Sequence, residues 1–422
     1  MNVELLAPAG NFAKMRTAFY FGADAAYLGG KNFSLRAFSD NFTADELKTA
    51  IAYAHDLKKK VYVTANIFAK NADFSALADF FAFLQEAGAD GAIVSDVGAM
   101  QVLKKVAPSL ALHVSTQANA TNKYAVQFYA DTLGASRVIL ARELSLAEIA
   151  EIRQFNPQVE LEAFVHGAMC ISYSGRCLLS DYLDGRSSNR GACAQCCRFR
   201  YEIRALNPSN GETGWLPVEE DGRGAYILNS KDLNMLSALN ELKNAGVNSF
   251  KIEGRMKSEY YLATVVNAYR RAMDGGNIAA CEKELCAVAH RNYTKAYAFS
   301  GKANATGKAA GGAGGSVGAE RERERTEEYA AGQIKGEYDY VANVLSYENG
   351  AVRAEMRNRF KTGDTLCVLS PGNYHGKEFA VGEIRSEKEN AVTPDAKLVQ
   401  GVYSFACPYP LGAGDILRRR AR

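Results

Sequence analysis

The chain has 422 residues, of which 47% are hydrophobic and 23% charged, with a formal net charge of +3. That is enough chain for two or three domains with large cores, and too little charge to mark a nucleic-acid binder by bulk electrostatics alone. No stretch approaches the ~18–20 apolar residues of a membrane helix, and the opening MNVELLAPAG has no basic region before an apolar run, so a cytoplasmic protein is expected.

From the start of the chain, short β-branched or apolar runs recur: VELLAPA (3–9), AAYLGG (25–30), KVYVTANI (60–67), GAIVSDV (91–97), ALHVSTQ (111–117), RVILARE (137–143), LEAFVHG (161–167) and SFKIEG (249–254). Amphipathic segments lie between most of them. From Thr43, Leu47, Ile51, Ala54 and Leu57 share one face at helical spacing. Thr43 with Glu46, and Ser145 with Glu148, have capping-box spacing, in which hydroxyl and carboxylate satisfy the first free N–H groups of a helix. Continuous apolar runs separated by helices indicate a parallel sheet covered on both faces. Eight such units predict a (β/α)8 TIM-like barrel over residues 1–300, in preference to an open doubly wound sheet.

The link between the seventh and eighth strands, 168–248, is far longer than an ordinary βα connection and is predicted to be a cysteine-rich insertion. Its later part alternates and carries Asn-Pro and Asn-Gly turn signals, which predict an inserted β-hairpin. Residues 301–335 are a Gly/Ala tract followed by mixed charge, read as a linker. Gly314–Gly318 matches G-x-S-x-G, but a nucleophile elbow needs a strand before it and a helix after it, and this context supplies neither. Residues 336–422 alternate between short strands and Asn-Gly, Gly-Asp or Pro-Gly turns, which predict a small all-β barrel of about six strands.

The C-terminal ends of parallel barrel strands carry the active-site face. Here they present Asn66, Ser95, Asp96, Ser115, Gln117, Arg142, Glu143, His166, Glu253 and Arg255, with Glu162 and Lys251 earlier in their strands. Polar groups where barrels usually place branched apolar residues need a use. His166, Glu162 and Gln117 are the candidates for the chemistry. Arg142, Glu143, Lys251, Glu253 and Arg255 are the candidates for holding a polar, anionic small molecule, since arginine grips carboxylates with two parallel hydrogen bonds. The competing readings are ion pairs closing the barrel mouth and, for His166, a satisfied core histidine.

Five of nine cysteines fall in the insertion. Cys170 and Cys177 enclose six residues, fifteen more precede Cys193, and three separate Cys193 from Cys197, with Cys196 an alternative to Cys197. Disulfides are disfavoured in the cytoplasm, so the cluster points to metal. Zinc ribbons use shorter knuckles than the first gap here, which favours an iron–sulfur cluster over zinc. Cys281, Cys286, Cys367 and Cys407 lie in helical or strand patterns and are expected to be small core residues.

EAFVHGAMCISYSGRCLLS (162–180) resembles the signature of the collagenase-like peptidase family, historically classed as peptidases of unassigned catalytic type. Supporting motifs are LLAPAGN (5–11), HVSTQANATN (113–122), GACAQCCR (191–198), LNSKDL (228–233), KIEGRMKS (251–258), NRFKTGDTL (358–366) and GDILRRR (414–420). The resemblance covers nearly everything except the linker, and length and domain order are most similar to the family's bacterial tRNA-hydroxylation group. It implies 5-hydroxyuridine synthesis at the tRNA wobble position, without dioxygen and dependent on prephenate. It also implies a 4Fe–4S cluster, carried over here onto Cys170, Cys177, Cys193 and Cys197. At position 196, where relatives commonly have proline, this chain has Cys196. Prephenate is a dicarboxylate, which Arg142, Arg255 and Lys251 suit. The expected partners are tRNA and a small dicarboxylate, with a paralogous or accessory protein. The basic tail 418–422 and the charged run 321–325 are candidates for phosphate contacts, a frayed solvated end being the alternative for the tail. Two other functions remain open: a collagenase-like peptidase, and a zinc-stabilised, non-catalytic RNA-binding scaffold.

Overall fold

The computed structural model describes residues 3–35, 40–170, 172–198, 204–206, 213–215, 220–221, 224–225, 230–300 and 334–421. The predicted linker 301–335, with its G-x-S-x-G match and the charged run 321–325, lies almost wholly outside the described residues. By internal packing the chain forms two units: Met1–Phe12, Asp24–Met256 and Arg291–Gly332 make the first, and Ala13–Ala23, Lys257–His290 and Gln333–Arg422 the second.

The first unit is built on β1 (Glu4–Pro8), β2 (Ala25–Gly29), β3 (Lys60–Ala65), β4 (Gly91–Val94), β5 (Leu112–Val114), β6 (Arg137–Ile139), β7 (Glu160–Ala168) and β8 (Ser249–Ile252). Each pairs in parallel with the next, and β8 pairs in parallel with β1, so the sheet closes into an eight-stranded barrel. That closure excludes the open-sheet alternative. The register skips one residue between Lys251 and Ile252, so that Phe164 opposes Lys251 and His166 opposes Ile252. The barrel interior is filled by Leu6, Tyr27, Tyr62, Ile93 and Ile139, with Phe164 half-buried above them.

The connecting helices include α1 (Ala44–Asp56), α2 (Phe74–Glu86), α3 (Val97–Val106), α4 (Lys123–Gln127), α5 (Leu146–Phe155) and α6 (Leu239–Asn244). Both predicted capping boxes form, on α1 and α5. Leu47, Ile51 and Ala54 of α1 are buried, but Leu57 ends the helix at its C-cap and is exposed, because the apolar face runs out with the last turn. Within the insertion, Arg204–Leu206 pairs antiparallel with Thr213–Trp215, which is a hairpin as the turn signals predict. A further strand, Asp232–Asn234, runs antiparallel to the end of β7, beside Ala168, Gly167 and His166.

The second unit contains α7 (Glu259–Met273), α8 (Ile278–Leu285) and a sheet of β9 (Tyr338–Glu348), β10 (Ala351–Met356), β11 (Thr365–Leu369), β12 (Glu378–Ala380), β13 (Ile384–Ser386), β14 (Ala391–Thr393), β15 (Val402–Ala406) and β16 (Ile416–Arg420). The spatial order is β12-β11-β16-β9-β10-β15-β13-β14. It is a half-barrel of eight strands rather than a closed barrel of six, since several short turns open into extra hairpin pairs. Val341, Val352, Phe360, Leu366, Val368, Phe405 and Leu417 fill its concave side. Of the basic tail, Arg418–Arg420 are not frayed. Arg418–Arg420 form the end of β16 beside β9, Arg418 is buried in an ion pair with Glu284, and Arg419 bonds Asp364 at 2.7 Å. Burial alone would raise the Glu284 carboxyl, but hydrogen bonds from His375 and Arg418 override it and hold it at about 2. Cys281, Cys367 and Cys407 are buried as expected; Cys286 is only half-buried.

Candidate functional site

Two polar layers sit at opposite ends of the barrel. The lower begins at first-strand residues. Tyr62 donates its hydroxyl to Glu4 at 2.7 Å, Ser249 donates to Glu4 at 3.0 Å, and Arg137 spans Glu4 at 2.6 Å, Glu160 at 2.6 Å and Glu162 at 3.0 Å. Glu162 is fully buried and accepts a second charge-assisted bond from Lys251 at 2.8 Å. Burial, helped by the Arg137 charge, pushes the His113 imidazole well below its ordinary value, so it is a neutral ring packed 4.6 Å from Tyr62. Buried charges persist only when paired in this way.

The upper layer opens at the strand C-termini. Gln117, Arg142, Lys251, Glu253 and Arg255 gather there around a cavity of about 50 Å³, together with Tyr27, Leu35, Thr64, Asn66, Ile93, Ser115, Thr116 and Phe164. The space is large enough for a few waters. Lys251 leaves Glu162 below and stands 4.5 Å from the ring centre of Tyr27. Arg255 is buried and donates to Thr64 at 3.1 Å and Ser34 at 2.6 Å. It occupies the space a side chain at position 29 would need: a Cβ on Gly29 would lie 2.0 Å from the Arg255 guanidinium. Tyr27 donates to Glu253 at 3.3 Å. Arg142 lies over the Phe164 ring at 4.5 Å, and its Nε has no hydrogen-bond partner among the described residues.

Other sequence candidates sit elsewhere. Glu162 belongs to the lower layer and lines no part of this cavity. His166 is buried with its ring 5.6 Å from Tyr293, on the side where Asp232–Asn234 joins β7, and does not line the cavity either. Asp96 caps α3 by accepting from the Ala99 N–H at 2.9 Å. Glu143 faces the cysteine-rich loop and accepts from the backbone N–H of Ser174 at 3.0 Å. Tyr27, Thr64 and Phe164 were not singled out from sequence. Their signal was the period-two pattern, which places them on inward positions of otherwise apolar strands.

The cysteine-rich loop leaves from the end of β7 and returns over the mouth. Gly175 adopts φ +77 and packs so tightly on Gln117 that a Cβ would lie 2.0 Å from the Gln117 carbonyl oxygen. A second small cavity lies between them, lined by Arg142, Glu143, Met169, Cys170, Ser172, Tyr173, Ser174 and Tyr297. Arg142 therefore lines both spaces.

All nine cysteines are free thiols. Burial tends to raise the Cys177 thiol, but hydrogen bonds from Ser172, Ser188 and the Leu179 and Ser180 N–H groups outweigh it and lower its pKa. Cys193 Sγ accepts from the Gln195 N–H at 3.4 Å. Burial raises the Cys197 thiol, and the nearby Cys170 and Cys193 add to this. Cys196 is buried, and its thiol is raised chiefly by that burial. N–H donors aimed at sulfur suit thiolate ligands of a metal or cluster. Among the described residues no three His, Cys, Asp or Glu side chains stand close enough together to hold a single metal ion. No helix among them is long and apolar enough to cross a membrane.

Comparison with known proteins agrees with the motifs. Residues 10–308 match the model of peptidase family U32, and residues 336–418 that of the family's C-terminal domain. The chain is 38% identical to tRNA hydroxylation protein P1 of Bacillus subtilis (strain 168), over 87% of this chain and 83% of that protein. It is 35% identical to tRNA hydroxylation protein P of Escherichia coli (strain K12), over 92% and 90%. It is 33% identical to a collagenase of Porphyromonas gingivalis, over 70% and 74%. A barrel with a cysteine-rich loop over its mouth, followed by an all-β C-terminal half-barrel, thus carries both family models along its length, and the chain belongs to peptidase family U32.

Proposed function

We propose that this chain is an RNA-modifying enzyme that hydroxylates the tRNA wobble uridine at C5, with prephenate as the hydroxyl source and a 4Fe–4S cluster on Cys170, Cys177, Cys193 and Cys197. Relatives that match along most of the chain are tRNA hydroxylation proteins. The observation that carries the site assignment is Arg142, which lines both the mouth cavity and the cavity beside Cys170, with its Nε unpartnered among the described residues. An arginine with spare donor capacity between a cationic mouth and a thiol-rich loop suits a carboxylate substrate held beside a cluster. Lys251 and Arg255 supply the remaining positive charge. The cavity is smaller than prephenate, so entry requires Arg142 and Gln117, both on loops beyond strand ends, to swing outward. Cys197 is the better fourth ligand than Cys196, whose side chain is sealed in the loop interior. When bound, the cluster would carry away electrons, since replacing the C5 hydrogen by hydroxyl is a two-electron oxidation, or would offer an open iron. The chain's own part is to orient the substrate carboxylates and restrict water at the mouth.

The test has two arms. Nucleosides from tRNA of cells lacking the gene should contain no 5-hydroxyuridine derivatives, restored by the wild-type gene. Protein purified without oxygen should carry iron and sulfide and absorb broadly in the visible. Unchanged 5-hydroxyuridine in the deletion strain, with no paralogue present, would sink the reading. Zinc without iron would favour the scaffold. The collagenase relative keeps a peptidase in view. Its requirement is a paired nucleophile and base, yet the bonds that lower the Cys177 thiol come from serines and backbone N–H groups. Gelatin cleavage by the pure protein, lost on changing a cysteine to serine, would reinstate it.

A further inference from the structure

The second unit contains a cavity that the proposed chemistry does not use. It measures about 300 Å³ and is walled by Tyr260, Tyr261, Tyr338 and Tyr340, with Lys257 and Lys335 among the lining side chains. Tyr260 and Tyr340 stack with centroids 5.4 Å apart and planes at 16°. Lys257 Nζ stands 5.1 Å from the Tyr261 ring centre. The guanidinium groups of Arg418 and Arg420 stand 4.4 Å and 5.9 Å from the Tyr338 ring centre. Aromatic faces and cations are therefore interleaved. Burial keeps the phenols of Tyr260 and Tyr340 protonated, so neither adds negative charge.

The chemistry of the walls narrows the occupant. A bare phosphate has no need of four rings, and an apolar ligand has no need of the lysines. Rings that accept a flat face, beside cations that meet phosphate, are the usual elements of single-stranded nucleic-acid sites. The volume accommodates one base with its ribose. Tyr260 and Tyr261 are almost fully buried, which leaves the half-buried Tyr338 and Tyr340 as stacking surfaces. Arg418 and Arg419 are committed to Glu284 and Asp364. Of the other cations, Lys335 and Arg420 are exposed and Lys257 is half-buried. Asp339 also lines the cavity. A carboxylate there disfavours phosphate at that point and accepts hydrogen bonds from a base edge or a ribose hydroxyl. Lys257, Lys335 and Arg420 come from three separate chain segments, and three cations suit more than one phosphate of a strand.

We propose that this cavity binds an unpaired nucleotide of an RNA strand, its base against Tyr338 and Tyr340 and its flanking phosphates on Lys257, Lys335 and Arg420. This rests on the reading of the chain as an RNA-modifying enzyme, and it assigns to the second unit the task of gripping the RNA.

The probe is fluorescein-labelled oligouridylate, titrated with the full chain and followed by fluorescence anisotropy. Tyr338→Ala should weaken binding about 5- to 140-fold, the range of one lost base–aromatic stack. Tyr338→Phe and Tyr338→Trp should bind like wild type. Lys335→Ala should flatten the slope of log affinity against log salt by about 0.7, one phosphate contact on a single strand. If Tyr338→Ala does not fold, exposed Lys335→Glu carries the test and should weaken binding at least as much as Lys335→Ala. Tyr338→Ala binding like wild type, or Tyr338→Phe losing as much as Tyr338→Ala, overturns the assignment. Uridine monophosphate that displaces the oligomer at equal nucleotide concentration overturns the strand and leaves a mononucleotide site. The same variants are scored for 5-hydroxyuridine derivatives in cellular tRNA. Wild type that restores the modification beside an unaffected Tyr338→Ala sinks this inference alone. Wild type that binds oligouridylate through Tyr338 yet restores no modification sinks the hydroxylase reading and keeps the pocket.

Discussion

The two ends of the barrel carry similar residues and behave oppositely. At the lower end Glu4, Arg137, Glu160, Glu162 and Ser249 satisfy one another, and Arg137 alone spends its donors on three carboxylates. At the mouth, Arg142, Gln117, Lys251 and Arg255 surround a space, and Arg142 keeps a donor unused among the described residues. Both ends look polar in sequence. What separates structure from function is whether the polar groups close on each other or on a void. Lys251 joins the two, with its ammonium fixed by Glu162 below while it lines the cavity above.

Three changes break or sharpen that contrast, in order of their expected effect on stability. Arg137→Leu strips three carboxylates of a buried partner and leaves Glu162 to Lys251 alone. Removing one side of a buried pair costs about 3–5 kcal/mol, so the denaturant midpoint should fall steeply. A midpoint like wild type would show that the lower layer is not structural. Gly29→Ala drives a methyl group into the Arg255 guanidinium. Overpacking of this kind costs about 1–3 kcal/mol. It should also displace Arg255 from the mouth and lower hydroxylation more than the stability loss explains; retained activity would remove Arg255 from the substrate site. Arg142→Ala loses one cation–π contact, worth about 0.5–2 kcal/mol, and a long hydrogen bond to the Ala168 carbonyl, so the unfolding midpoint should fall least of the three. Hydroxylation should nevertheless drop at least tenfold, without rescue by Arg142→Lys, because lysine cannot present two parallel donors. Full activity in Arg142→Ala would move the substrate site away from the mouth.

Much of the fold was legible along the chain because periodicity is a local property. The eight runs of the first unit match β1–β8 to within a few residues, and the Thr43 and Ser145 capping boxes form where their spacing places them. The half-barrel was less legible. Six strands became eight because three-residue strands such as Glu378–Ala380 are too short to carry an alternation of their own. The site was legible as a set of residue types, and less so as a set of partners. Gln117, Arg142, Lys251, Glu253 and Arg255 do converge. Glu162 and His166 stand on the same strand, yet one sits in the lower layer and the other beside Tyr293.

The sequence by itself determined which segments become strands and helices, that the strands run parallel, and that five thiols share one loop. Those properties depend on spacing along the backbone, which the chain carries whatever its global shape. Only the tertiary structure decided that Arg137 and Glu4, 133 positions apart, share one ion-pair network, that Arg142 lines two cavities, and that Arg418–Arg420 end a paired β-strand. It also brought four tyrosines and two lysines from distant segments around a single hollow. Burial and partnership follow from how strands close and loops return, and these set whether a charged side chain braces the fold or remains available to a ligand.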